Sequence, residues 1–216
     1  YSKGFTLIEL MVSLVIGLIV IGAAMQLFLT GSINYSLQKN LGELQDNGNF
    51  GLNFIIKDIK LANLDADLSV INDRNKYSGI VFTSVKSYAS LTEAEKEVQS
   101  ANLPLTLTNS TVNIANLSLA NVGPSNVGDG SDQLVIQYKV FDPNSFDCEG
   151  KTITQSEIDE GTFIVQRYYL RADGSSKNLA LVCDAGRYKT LVETANLPTT
   201  IEGLGAQSQI IMRRVD

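Results

Sequence analysis

Between Leu10 and Leu29 only Ser13 and Gln26 are clearly polar, and no residue is charged. About 20 apolar residues rising 1.5 Å each are enough to cross a hydrocarbon core of roughly 30 Å. The run therefore predicts a helix able to span a membrane. Beyond Thr30-Gly31-Ser32 the pattern changes. Leu37, Leu41, Leu44, Leu52, Ile55, Ile59 and Ala62 recur at steps of three and four, with Gly48 filling the gap. That spacing is a single apolar stripe on a helix. Gln38, Lys39, Glu43, Asp46, Asn47, Lys57 and Asp58 fall on the other faces. The expected element is one helix from about Phe5 to about Ala62, loosened near Gly31 and Gly48, whose second half lays its stripe on a sheet. Two helices joined near Gly31 are the alternative.

From residue 63 the chain changes to short β-rich runs separated by Asn, Asp, Gly and Ser. Asp65 to Tyr77 reads as a loop and Ile80–Val85 as a strand. Ser90-Leu91-Thr92-Glu93 is a capping box opening a short charged helix to about Val98. Thr111–Leu119 alternates with a period near two, as a half-buried strand should. Asn121 to Asp132 reads as a loop. The strongest strands are Leu134–Phe141 and Thr162–Leu170. Asp173-Gly174 marks a turn into Leu179–Cys183, and Asp184-Ala185-Gly186 a further turn into Tyr188–Val192. A last strand-like run is Ser208–Met212. The predicted architecture is α+β: one long N-terminal helix packed on an antiparallel sheet.

Glu9 stands at the entrance of the apolar run, where holding an acidic group in lipid costs a few kcal/mol unless it has a partner. A cleaved secretory signal would need a shorter apolar core and a small-residue cleavage site after it, and none follows Leu29. A plain signal anchor fits the length but leaves Glu9 unexplained. Gly4 followed by Phe5-Thr6-Leu7-Ile8-Glu9-Leu10 and a long apolar helix resembles the type IV prepilin signature. The resemblance implies that prepilin peptidase cuts after Gly4 and methylates the new N-terminal Phe5. It also implies that Glu9 neutralises the N-terminus of a neighbouring subunit in a filament core, where an unpaired buried charge is far more costly than a paired one. The plainer alternative seats Glu9 in the lipid headgroups beside Lys3.

Gln45-Asp46-Asn47-Gly48-Asn49-Phe50-Gly51-Leu52-Asn53-Phe54-Ile55-Ile56-Lys57-Asp58-Ile59-Lys60-Leu61-Ala62 is similar to the stretch that follows the stem in PilW-type minor pilins. The J-type minor pseudopilins of type II secretion carry a looser version. The stem has no proline, whereas many major pilins have one, which favours a minor subunit. The resemblance divides the chain into the end of a leader (1–4), a membrane or filament-core helix (5–30), its amphipathic continuation (31–62) and a β-rich periplasmic head (63–216). The absence of Met at residue 1, and an end just after a strand-like run, suggest sequence missing at both ends.

The 216 residues carry a net charge of -6, with only 7% aromatics. That balance argues against a surface built to grip phosphate backbones. Arg167, Lys177, Arg187 and Lys189 make a thin basic cluster, expected to face solvent or a partner subunit. Cys148 lies in the polar loop 143–150 and Cys183 ends an apolar run. In an oxidising compartment the pair is expected to form a disulfide tying that loop to a sheet edge, contributing roughly 3–4 kcal/mol. Metal binding by the cysteines is disfavoured by the lack of His and of C-x-x-C.

Histidine is absent, which removes the usual catalytic base, and there is no Walker-type phosphate loop. Gly128-Asp129-Gly130-Ser131-Asp132 lacks the full calcium-loop spacing. The run Glu93, Glu95, Glu97 reads as a solvated helix face. The expectation is a non-enzyme without cofactor or metal. By resemblance it is a minor pilin that promotes pilus assembly in a tip complex. The implied partners are other minor pilins, the major pilin, prepilin peptidase, the inner-membrane assembly platform and, before assembly, membrane lipid; nucleic acid is at most an indirect partner. The implied location is the bacterial inner membrane, single-pass with the head in the periplasm, and then the pilus surface. A type II secretion pseudopilin and a competence component share the same physics.

Overall fold

The computed structural model describes residues 4–64, 75–82, 102–103, 117–126, 130–174, 178–190 and 200–215. Outside them fall most of the expected 65–77 loop, residues 83–85, the 90–98 capping box and helix, residues 111–116, Gly128, Asp129, Lys177 and residues 191–192. The chain divides into two compact units, Tyr1–Asn49 and Phe50–Asp216.

Helix α1 runs unbroken from Leu7 to Leu61. Gly31 and Gly48 sit in regular helix, so the expected loosening does not occur and the two-helix alternative is excluded. An isolated helical glycine costs only about 1 kcal/mol relative to Ala, which a 55-residue helix of good formers absorbs. The helix ends where Asn63 takes a positive φ of 66°, a conformation that Asn tolerates at helix C-termini. The Asn63 side chain then accepts the Gly79 backbone N–H.

Among the described residues the second unit holds five strands: β1 (Leu119–Gly123), β2 (Ser131–Lys139), β3 (Thr162–Ala172), β4 (Leu179–Lys189) and β5 (Gln209–Arg213). They form one sheet in the order β1-β2-β3-β4-β5 with every neighbouring pair antiparallel. The expected α+β class, a long apolar helix with an antiparallel sheet, is what the protein adopts. A short helix, α2 (Gln155–Asp159), interrupts the path from β2 to β3 and opens on a Thr154/Glu157 capping box. Ile80, Val81 and Phe82, expected as a strand, make only a bridge to β2 at Ile136.

Two stretches expected as a loop and a turn are strand instead. Both ends of the expected loop from Asn121 to Asp132 lie in strands, residues 121–123 in β1 and residues 131–132 in β2; β1 is bulged against β2, with Asn121 at φ 56° re-aiming the chain. The expected turn at Asp184-Ala185-Gly186 does not form, and β4 continues through it to Lys189. Asp184 is satisfied within the strand by an ion pair to Arg167 and by the Gly205 backbone N–H at 2.9 Å. Gly186 serves close approach rather than a turn. A Cβ there would lie 2.5 Å from Ile201 and 2.8 Å from Leu204.

Strand alternation sorts the core into two faces. One carries Val81, Leu103, Val135, Phe163, Val165 and Tyr188. On the other, Ile136, Tyr168, Cys183, Ala185 and Ile211 pack against Phe54, Ile55 and Ala62 of the helix end, and Tyr138, Val140, Ile153 and Ile164 against Leu61 and Ile158. The helical face at the sheet is therefore Gly51, Phe54, Ile55, Asp58, Leu61 and Ala62. It is rotated from the expected stripe, leaving Leu52 and Ile59 exposed. Two residues set the rotation. A Cβ on Gly51 would collide with the Met212 side chain, and Asp58 is drawn inward by Tyr168.

Candidate functional site: the helix entrance and the clasped head

In the first unit, Thr6 and Glu9 form a reciprocal capping box. The Thr6 N–H and hydroxyl each donate to the Glu9 carboxylate at 2.9 Å, and the Glu9 N–H reaches the Thr6 Oγ1 at 3.4 Å. The spacing Thr-x-x-Glu is legible in Phe5-Thr6-Leu7-Ile8-Glu9. Gly4 and Phe5 precede the helix, with Phe5 exposed. From Leu7 onward the apolar side chains have no partner within this unit. Among the described residues α1 is the one helix long and apolar enough to cross a membrane. An exposed apolar surface of this length requires lipid or other apolar helices around it.

In the second unit, a buried polar network seats the helix end on the sheet. Asp58 is 4% exposed and accepts the Tyr168 hydroxyl. With the Gln166 amide oriented as its neighbours require, its nitrogen donates to Asp58 at 3.1 Å. Its oxygen accepts from Tyr138 at 3.2 Å and from the Cys148 N–H at 2.9 Å. Burial raises the Asp58 carboxyl above its usual range, outweighing the Tyr168 hydrogen bond and the Lys57 charge that lower it. Burial, with Asp58 alongside, also raises the Tyr138 and Tyr168 hydroxyls, so both remain protonated.

Cys148 and Cys183 are joined in a disulfide with Cα atoms 6.1 Å apart. Cys183 lies in β4 between β3 and β5, so the bond ties the 143–150 loop to the interior of the sheet, not to an edge. Beside it, Arg187 is 7% exposed and bonds Asp147 at 2.7 Å, Glu157, and the Lys151 and Thr152 carbonyls. Burial works against the Arg187 charge, but Asp147 and Glu157 outweigh it and hold the guanidinium more firmly protonated than usual.

This corrects the expected basic surface cluster. Arg187 is an internal strut, Arg167 pairs with Asp184 and lies over the Tyr169 ring, and Lys189 pairs with Glu160 at 2.9 Å. An Arg in a strand carries no sequence mark of burial. The mark lay instead in its acidic partners, since Thr154 to Glu157 is a capping box that the residue types spell out.

The first 25 residues match the family model described as the prokaryotic N-terminal methylation motif. Together with the apolar helix and the antiparallel sheet, that motif supports a type IV pilin-like protein, a pilin or pseudopilin in general. It implies processing by prepilin peptidase and assembly with other pilins, and it fits membrane anchoring through α1. No curated protein and no solved structure matches the chain.

Proposed function

We propose that this protein is a minor pilin of a type IV pilus, of the PilW type, which promotes assembly within a tip complex of minor pilins. The observation that carries the reading is the stretch Gln45–Ala62. It is similar to the PilW-type pattern, and its Phe54, Ile55 and Asp58 are the residues that seat the helix end on the sheet. In this reading the leader is cut after Gly4, Phe5 is methylated, and α1 holds the protein in the inner membrane with its head in the periplasm. Assembly then moves the stem from lipid into the filament core. There Glu9 exchanges its Thr6 cap for the amine of a neighbouring subunit, so that neither charge is buried alone. The function needs no catalysis, metal or cofactor.

The test is a count of pili sheared from cells lacking the gene, with and without complementation. Loss of pili restored by the intact gene supports the proposal. Unchanged pili with impaired exoprotein release would replace it with a type II secretion pseudopilin. Glu9→Ala is expected to spare membrane insertion and processing but to reduce the protein recovered in sheared filaments several-fold; normal recovery would sink the charge exchange.

A further inference from the structure

At the head-side end of α1, Leu52, Ile56 and Ile59 stand at i, i+4 and i+7, one straight line along the helix. All three are exposed, Leu52 by 55% and Ile59 by 41%, although the sheet packs beside them. Each follows a sheet-facing residue by one position, after Gly51, Ile55 and Asp58, and so lies about 100° further round the helix.

The sheet cannot take this line in. Turning α1 to bury it would put Leu52 where Gly51 already meets the Met212 side chain, and would draw Asp58 away from the Tyr168 hydroxyl. An acid left buried without its donor is costly, so the rotation of α1 on the sheet is fixed. The helix is therefore apolar on two adjacent faces, and its own sheet covers one of them.

Lipid does not reach the other. Leu52 lies roughly 34 Å along the helix beyond Leu29, where the apolar run ends. The headgroup layer outside the hydrocarbon is only about 5–8 Å thick on each side. The cover must then be protein, and anchors at i, i+4 and i+7 suit a helix lying alongside. Leu44, Leu41 and Leu37 carry apolar positions back down α1 towards the membrane-length run. The prepilin motif implies assembly with other pilins. A subunit held in the same membrane by the same end presents its own stem helix alongside, parallel and at the same height.

We propose that Leu52, Ile56 and Ile59 form a docking surface for the stem helix of another prepilin-motif subunit, lying parallel to α1. The end of α1 thus serves two partners, its own sheet through Gly51 and Asp58 and a neighbouring stem through this line. The inference rests on the pilin-like class and holds for a pilus or a secretion system alike.

The test places a benzophenone amino acid singly at Leu52, Ile56 or Ile59 of the full chain in its native membrane. Photo-crosslinked peptides are then identified by mass spectrometry. Phe50 and Lys57 are the controls, since both are exposed and each lies about 200° round the helix from the line residue two positions on. The three line positions are expected to crosslink to the stem helix of a protein carrying the N-terminal motif, with that product lost at both controls. Leu52→Gln combined with Ile59→Gln is expected to cut the yield from Ile56 roughly tenfold or more, as two of three aliphatic anchors are removed. The same double variant is expected to keep the urea midpoint of the chain in micelles, because both side chains are exposed. A lowered midpoint would show that the head itself covers the line and would overturn the proposal. Crosslinks confined to this chain, to lipid or to a partner's head would overturn it too, as would equal yields at the controls. A processed chain without crosslinks would overturn the docking surface alone. A chain that keeps its leader before Phe5, read by mass in the same sample, would overturn the pilin reading with it.

Discussion

Asp58 lies on the helix face that meets the sheet, yet it is an acid and its carboxyl is raised by burial. A raised carboxyl favours the neutral form in the fold. The stability this confers is present in acid and is lost as pH rises through the folded-state value. Asp58→Asn is neutral at every pH and keeps a carbonyl to accept from Tyr168. Urea unfolding of the full chain in micelles should therefore show the variant gaining on the native protein as pH rises above the usual carboxylate range, about pH 4. A constant difference over that rise would contradict the raised carboxyl. Arg187 answers to the opposite logic, because it neutralises Asp147 and Glu157, both largely buried. Arg187→Met would strand two carboxylates and is expected to cost about 3–5 kcal/mol, read as a lowered urea midpoint. A near-neutral result would mean that water already solvates the acids.

At the scale of elements, β4 runs on where the residue types suggest a turn. Asp-Ala-Gly is turn-like locally, but Asp184 finds Arg167 across the sheet and Gly186 admits Ile201 and Leu204 against the strand. Gly186→Ala is accordingly expected to destabilise by about 1–3 kcal/mol through overpacking, although Ala suits a strand at least as well as Gly. Thermal melts that show no loss would mean the residues 200–206 segment does not press on β4. Helix α1 shows the converse, with local signals holding at both ends and Gly31 and Gly48 absorbed between them. Its capping box at Thr6–Glu9, its helix-forming residues and Asn63 at its end agree with one another, and the helix is continuous.

For the molecule as a whole, the disulfide and the polar network act together. Cys148 is bonded to Cys183 and its backbone N–H is held by Gln166, which also binds Asp58. One covalent bond thus fixes the loop that covers the helix–sheet junction. Replacing both cysteines by Ser is expected to cost roughly 3–4 kcal/mol and to open the 143–150 loop to protease. An unchanged urea midpoint and digestion pattern would show that the polar network alone suffices. An apolar half-helix with no partner in its own unit is unfinished alone, and lipid or neighbouring stems complete it.

The sequence by itself determined the stem, because a membrane-length apolar run, a capped glutamate and a steady helical period are local properties that no distant residue overrides. The same holds for the strand cores at 134–139 and 162–170 and for the antiparallel class of the sheet. Tertiary structure decided which helix face turns inward, since Gly51 and Asp58 are selected by Met212 and Tyr168 from the far end of the chain. It also decided that Arg187 is internal, because burial of a charge depends on acids that arrive from another loop.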